Sequence, residues 1–405
     1  MVVGKGRSKD FITYAARGMQ PHQVRYSNQR AILSVLSVYP GLSNADIARH
    51  TGLAPQTVSS VLDGLEQSGL LRRGPARRDG GRGQPATPLY LNPQGALALG
   101  AEIGWTHIEV AMTDLVGEVI AHRRVDYDYP DARSVFGLMA DLLGTLTATL
   151  DGADRRKLVG LGIAAPDSIG DAASPLAPPP GQAEAWTGLD LAREAARVTG
   201  YDVQVFNDGN AACFAEFTTM TAPRPSDFAF LLIDVFVGAG IISGDRLWQG
   251  VTGASAHLGL MLVNDRTGNR RFVHELASLS ALEQRLKASG AALADAMQDA
   301  PPRTVRDVVE AWIDDAAPAL AQAIVNTAMV LEIDFAVLES RLPRPTLERL
   351  IAAVGREIVE VPGLGRSRPS VRAGHIGRSG AAQGAAQLRM VRRYYSRELW
   401  HMDDA

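Results

Sequence analysis

The stretch SNADIARHTGLAPQTVSSVLDGL, residues 43–65, decides how the front of this chain folds. Ser43, with Asp46 three residues on, is a helix N-cap signature, so a short helix runs to about His50. Thr51-Gly52-Leu53 makes a turn, and Pro55 suits the first turn of a further helix. On that helix Val58, Val61, Leu62 and Leu65 recur at helical spacing and face a core. Gln56, Thr57, Ser59 and Ser60 are left toward solvent near its N-terminus. This is helix-turn-helix grammar. Gln can pair with adenine in a major groove, and Ser or Thr can reach bases or phosphates.

Working outward, Ser27 to Val38 is amphipathic, with Ile32, Leu33 and Leu36 on one face, and Pro40-Gly41 breaks it. Downstream, Leu70 to Arg73 and Thr87 to Leu91 read as two short strands around a basic loop, a wing whose tip carries Arg77, Arg78 and Arg82. Arg72, Arg73, Arg77, Arg78 and Arg82 are the candidates for phosphate or minor-groove contacts. A winged helix used for protein contacts is the competing reading, and the polar front of the third helix favours double-stranded operator DNA. Residues 1–25 read as a basic flexible arm and 26–92 as the DNA-binding domain.

Charge supports the division. Up to Asn92 there are 12 Lys/Arg against 5 Asp/Glu, whereas the remainder has 29 against 39. A basic module on an acidic body implies a polyanion partner at the front only. One cysteine, Cys213, excludes an internal disulfide or a multi-cysteine metal site and fits a reducing compartment. No apolar run approaches the ~18 residues of a membrane span, and the start lacks the apolar stretch of a signal peptide. A cytoplasmic location without a membrane partner is expected.

After Asn92 the pattern changes. Ala96–Gly104, Thr106–Thr113 and Glu118–Tyr127 are β-rich, Ser134–Leu150 is amphipathic, and Val159–Ala164, Leu189–Val198 and Val203–Phe206 read as strand, helix and strand. A second series opens at Phe228–Ile233. Antiparallel strands followed by alternating helices and strands, repeated once, imply an α/β body of two related lobes with a cleft between them.

Several segments then become specific in combination: LGAEIGWTHIEVAMTD at 99–114, GLGIAAPDSI at 160–169, VFNDGNAACFAE at 205–216, VGAGIISG at 237–244, GVTGASAHLG at 250–259, GNRRFVHELAS at 268–278 and GRSGAAQGAAQL at 377–388. In this order, behind Arg25-Tyr26-Ser27-Asn28 and a helix-turn-helix, the chain resembles the repressor-type ROK family (repressor, open reading frame, kinase). The resemblance implies a two-lobed actin-like, ribonuclease H-like sugar-kinase fold. Lobe 1 would span 93–207 and be completed by a C-terminal helix at about 378–398. Lobe 2, at 208–377, would provide dimerisation and a possible effector cleft. A homodimer or homotetramer is expected.

The same resemblance exposes departures. The family's first phosphate motif, Asp-Ile-Gly-Gly-Thr-Lys, is here Glu102-Ile103-Gly104-Trp105-Thr106-His107. The second, Gly-Thr-Gly-Val-Gly-x-Gly, is Asp234-Val235-Phe236-Val237-Gly238-Ala239-Gly240, and the glycine-rich adenosine turn is Leu338-Glu339-Ser340-Arg341-Leu342-Pro343. Phosphoryl transfer depends on glycine-lined turns that admit phosphates and Mg²⁺. Asp208 occupies the position of the family's catalytic base but is expected to be inactive, so no enzyme activity and no cofactor are expected. The zinc positions of the family fall on Leu260 and Phe272, among others, and no metal is expected.

Sugar-binding relatives use Asn-Asp and two glutamates. The corresponding residues here are Asn207, Asp208, His257 and His274. Histidine can donate hydrogen bonds and carry positive charge. Two readings stay open: an altered effector, acidic or phosphorylated, or a decayed pocket with both histidines in packing or surface roles. The chain therefore reads as a sequence-specific DNA-binding regulator, a repressor controlled by a sugar or sugar derivative. The alternatives are a sugar kinase with a DNA-binding appendage and a regulator controlled by a protein partner.

Overall fold

The computed structural model describes residues 20–75, 87–171, 178–221, 224–361 and 367–395. The described residues up to Gly95, together with 392–395, form one compact unit, and those within 96–391 form a second.

In the first unit, α1 (Pro21–Val38), α2 (Asn44–Thr51) and α3 (Pro55–Gln67) precede strands β1 (Leu71–Arg73) and β2 (Leu89–Leu91). Ser43 caps α2: its Oγ accepts from the Asp46 amide, and the Asp46 carboxylate accepts from the Ser43 amide at 3.0 Å. Gly52 ends α2 at φ +70°, a conformation that a Cβ would strain. Ile32, Leu33, Leu36, Ile47, Val58, Val61, Leu62 and Leu65 make a shared buried core. β1 and β2 pair antiparallel, and β2 also bridges Leu42, with Leu89 donating to the Leu42 carbonyl at 2.9 Å.

Two boundaries differ from the sequence reading. Residues 21–25, assigned there to the arm, are the first turn of α1. Pro21 stands at its first position, and Gln23 Oε1 accepts from the Gln20 amide at 2.8 Å. This turn is polar and largely exposed, so apolar spacing could not reveal it. Residues 392–395, assigned to the helix completing lobe 1, belong instead to the first unit. The carbonyl oxygens of Arg392, Arg393 and Tyr395 accept from Arg30 (2.6 Å), Tyr26 (2.9 Å) and Ser34 (2.8 Å) of α1. Carbonyls at a helix end lack intrahelical donors, which makes them natural acceptors for these side chains.

The second unit contains β3 (Leu97–Ile103), β4 (His107–Asp114), β5 (Val119–Asp126), α4 (Val135–Thr147), β6 (Leu158–Ala165), α5 (Leu191–Thr199), β7 (Val203–Asn207) and α6 (Asp208–Thr219). Next come β8 (Phe228–Ile233), β9 (Val237–Ser243), β10 (Arg246–Leu247), β11 (Leu262–Asn264), β12 (Arg270–Phe272), α7 (Val273–Ala277), α8 (Leu279–Ala288) and α9 (Arg303–Leu331). It closes with β13 (Phe335–Ser340), α10 (Arg344–Glu360), β14 (Ser370–Ala373) and α11 (Gly380–Met390). The sheets run β5-β4-β3-β6-β7 and β10-β9-β8-β13-β14, the same order twice.

Every residue of β3 and β4 is buried, including the polar Glu102, His107, Glu109, Thr113 and Asp114, whereas the edge strand β5 is mostly exposed and carries His122, Arg123 and Arg124. A layer formed by α6 and α11 packs between the sheets. Its alanines share a core with Phe228 and Phe230 of β8 and with Phe335 and Val337 of β13. The approach is so close that a Cβ at Gly100 or Gly162 would strike the backbone of α11, and one at Gly384 the backbone of α6.

α9 runs 29 residues despite Pro318 inside it. Proline removes the donor that the Asp314 carbonyl would otherwise receive. Arg266 Nε supplies that donor from outside, at 2.8 Å. The break that proline threatens is thereby mended.

Candidate nucleic-acid interface and ligand cleft

On the winged helix, Val58, Val61, Leu62 and Leu65 point into the core, while Gln56, Ser59 and Ser60 are exposed and Thr57 is half-buried. The four polar side chains thus sit together at the N-terminal part of α3. The wing arginines do not all present free charge. Arg72 lies over the Tyr90 ring, 5.1 Å from its centroid, and Arg73 is paired with Glu66 at 2.9 Å and Asp63 at 3.5 Å. Arg77, Arg78 and Arg82 lie outside the described residues.

In the second unit, a cleft of about 720 Å³ opens between the lobes. It is built from element ends: the β3–β4 turn (Gly104, Trp105), the loop after β6 (Asp167), the β7–α6 junction (Asn207, Asp208), the β8–β9 turn (Asp234, Phe236), and the β11–β12 side with α7 (His257, Leu260, Phe272, His274). Asn207, Asp208, His257 and His274, far apart in sequence, all line this one space.

Asn207 ends β7 and caps α6, its Oδ1 accepting from the Asn210 amide at 3.1 Å, while its Nδ2 donates to Asp167 at 3.0 Å. Asp208 accepts from the Gly209 amide at 2.8 Å. Burial, then the carboxylate of Glu102, pushes its pKa up to about 7, with Asp167 and Asp234 adding to the same direction. Asp167 is also raised, by burial, against the pull of His257 and the Asn207 hydrogen bond. His274 holds its Nδ1 3.2 Å from the Gly259 carbonyl. A carbonyl only accepts, so Nδ1 carries the proton and Nε2 is left as an acceptor. Burial lowers the pKa of His274, and its ring stacks on Phe272 with centroids 5.6 Å apart. His274 is thus a neutral ring in an aromatic stack.

The two phosphate-loop tips meet. Trp105, at the β3–β4 turn, packs on Phe236 at the β8–β9 turn, with ring centroids 4.7 Å apart. Tyr127 supports the first tip by donating to the Gly104 carbonyl at 2.8 Å. Behind the rings, Arg341 Nε stands 3.0 Å from Asp234 Oδ1, and His107 Nε2 stands 3.3 Å from Glu102 Oε1. Burial opposes protonation of His107, but the neighbouring Glu102 carboxylate outweighs it and raises its pKa. The space between these pairs is about 20 Å³, room for about one water molecule.

In the sequence Trp105 and Phe236 stand as departures from the two phosphate motifs, with nothing to mark them as partners. Sequence reasoning passed over Glu102, Asp167 and Asp234 as cleft residues. At the former zinc positions, Leu260 and Phe272 form part of the cleft wall. Among the described residues, no group of three or more His, Cys, Asp or Glu side chains has an arrangement that would hold a metal ion. No helix among them is long and apolar enough to cross a membrane.

Comparison with known proteins gives consistent results. The ROK family model matches residues 98–391 and the MarR family model residues 22–80. The chain is 27% identical over 380 residues, 91% of its length and 92% of the relative's, to the uncharacterized protein y4fQ of Sinorhizobium fredii. It is 26% identical over 274 residues to the xylose repressor of Bacillus subtilis, covering 65% of this chain and 69% of the repressor. Among solved structures, a ROK family transcriptional regulator described as a homolog of the Escherichia coli MLC protein aligns over 93% of this chain and 98% of its own, with TM-score 0.69 at 18% identity. A ROK family glucokinase from Streptomyces griseus, in complex with glucose and AMPPNP, covers 72% of this chain and 99% of its own, with TM-score 0.57 at 20% identity. At such identities these two likenesses establish the fold alone. With most of its length matched to the family model and the two-lobed architecture in place, the chain belongs to the ROK family.

Proposed function

We propose that this chain is a cytoplasmic, sequence-specific DNA-binding transcriptional regulator, a repressor, whose body binds a sugar-derived effector and does not phosphorylate it. The winged helix, with Gln56, Thr57, Ser59 and Ser60 at the front of α3, is the operator-reading element. The basic wing supplies phosphate contacts. The repressors among the relatives, including the xylose repressor and the N-acetylglucosamine repressor of Escherichia coli, favour the same reading. Two copies binding two half-sites, as a homodimer or homotetramer, fit a two-fold operator. Effector binding in the cleft would alter the spacing of the two winged helices.

The observation that favours regulator over kinase is the Trp105–Phe236 contact. Catalysis of phosphoryl transfer needs donors and Mg²⁺ around the transferring group, and this fold's two phosphate turns meet through aromatic rings instead. Asp208 then serves as a binding carboxyl rather than a base.

Two assays test the reading. Selection of bound sequences from a random DNA pool should yield a two-fold motif, and Arg82→Ala should weaken binding and flatten its salt dependence. Incubation with ATP, Mg²⁺ and a panel of sugars should give no sugar phosphate. Ordinary turnover would reinstate the kinase.

A further inference from the structure

The effector reading says that the cleft binds a sugar derivative; the walls say more about its charge. Among the described residues lining the cleft, the acids are Glu102, Asp167, Asp171, Asp208, Asp234 and Glu275, and the only guanidinium is that of Arg271. Arg271 is already paired with Glu275, its Nε 3.3 Å from Oε2. Asp234 is paired with Arg341. Once these pairs are set aside, the carboxyl groups of Glu102, Asp167, Asp171 and Asp208 still line the space, and beside the histidines His107, His257 and His274 the described lining has no further guanidinium and no ammonium group to meet an anion.

Glu102 is the most telling of them. Its side chain is more than nine-tenths buried, one oxygen faces His107, and Oε2 accepts no hydrogen bond among the described residues. A buried carboxylate oxygen without a donor is costly unless something supplies one. His274 cannot take that part for an anionic ligand, because its Nδ1 proton is directed to Gly259 and it presents an acceptor to the cleft. Three aromatic side chains, Trp105, Phe236 and Phe272, also line the space. Carboxylates together with ring faces are the surroundings that stabilise an ammonium group.

We propose that the cleft selects a polyhydroxylated ligand carrying a protonated amine, an amino sugar in its free-amine form, held by Asp167 and Glu102 against these aromatic side chains. This rests on the effector reading above and reverses the expectation of an acidic or phosphorylated effector drawn from the two histidines. Asn207 Nδ2 and the acceptors along the cleft suit the ligand's hydroxyl groups, while the carboxylates repel a phosphate or uronate.

The test is a binding series on the full chain by calorimetry at neutral pH. It compares glucosamine, galactosamine and mannosamine with glucose, galactose and mannose, and with glucuronate and hexose phosphates. At least one amine should bind about tenfold or more tighter than its neutral parent, with the anions weakest. Asp167→Asn, on an exposed loop, should bring that ratio close to one while thermal melting is unchanged. Glu102→Gln should do the same if it folds. A neutral or anionic sugar that binds as tightly as its amine overturns the proposal and leaves the effector reading standing. Binding by none of the three classes overturns both. A preference for amines that Asp167→Asn leaves intact removes Asp167, and with it the assignment of the site.

Discussion

Arg73 on β1 holds its Nε 2.9 Å from Oε2 and 3.1 Å from Oε1 of Glu66 on the recognition helix α3. The wing is thus tied to the helix that it flanks by an exposed ion pair. Such a pair adds little to stability, but it offsets a charge that the sequence reading had assigned to DNA. Replacing Glu66 with Gln leaves only Asp63, 3.5 Å away, to compete for the guanidinium. Operator binding should tighten several-fold, and the plot of log affinity against log salt should steepen by about one ion. Fluorescence titrations at several salt concentrations would show it. An unchanged slope means that Arg73 never reaches a phosphate.

The Ser43–Asp46 capping box gives a stability prediction. The Ser43 hydroxyl, followed by its amide, holds the pKa of the Asp46 carboxyl below its ordinary value. A carboxyl lowered in the folded state stabilises above its ordinary value and loses that contribution as pH falls through the lowered one. Ser43→Ala should cost about 1 kcal/mol, with the deficit narrowing in acid. Urea melts of the two proteins across the acid range would measure it, and a deficit independent of pH would separate the cap from Asp46.

Asp208 predicts the opposite slope. Its pKa is raised from 3.8 to about 7 by burial and by Glu102, with Asp167 and Asp234 contributing. The folded protein therefore holds a proton there that the unfolded chain has released. This contribution is present below 3.8 and is lost as pH rises through about 7. Asp208→Asn should flatten the stability profile in that window and exceed the parent in stability above it. Parallel profiles for the two proteins would place the carboxyl in contact with solvent.

Trp105 and Phe236 should behave as a coupled pair. Aromatic contacts of this kind contribute about 1 kcal/mol beyond burial. A double-mutant cycle with Trp105→Ala and Phe236→Ala should return a coupling of that order by denaturant unfolding. Additive losses would mean that the two tips do not support each other in solution.

Local signals carried the fold further than they carried the site. Ser43, Gly52 and Pro55 each act on their own neighbours, so the helix-turn-helix could be read directly from residues 43–65. The segments that became β3 and β4 read as β-rich, and both faces of each strand are covered. Other features depend on distant partners. Nothing near Pro318 announces that Arg266 mends its turn, and nothing in Trp105 or Phe236 names the other, since their tips are 131 positions apart in numbering. His257 and His274 line the cleft as the sequence reading expects, but the carboxyl groups of Glu102, Asp167 and Asp208 beside them stand on other elements, and no local signal joins them.

The carbonyls of residues 392–395 that receive Tyr26, Arg30 and Ser34 have a practical consequence for anyone wishing to study operator recognition in isolation. The reader head is discontinuous in the chain, so excising the first 95 residues would discard the acceptors of three α1 side chains. Weak binding by such a fragment would report its missing tail rather than a poor operator. A faithful minimal reader would have to restore that tail, by circular permutation or by supplying the last turn as a separate peptide.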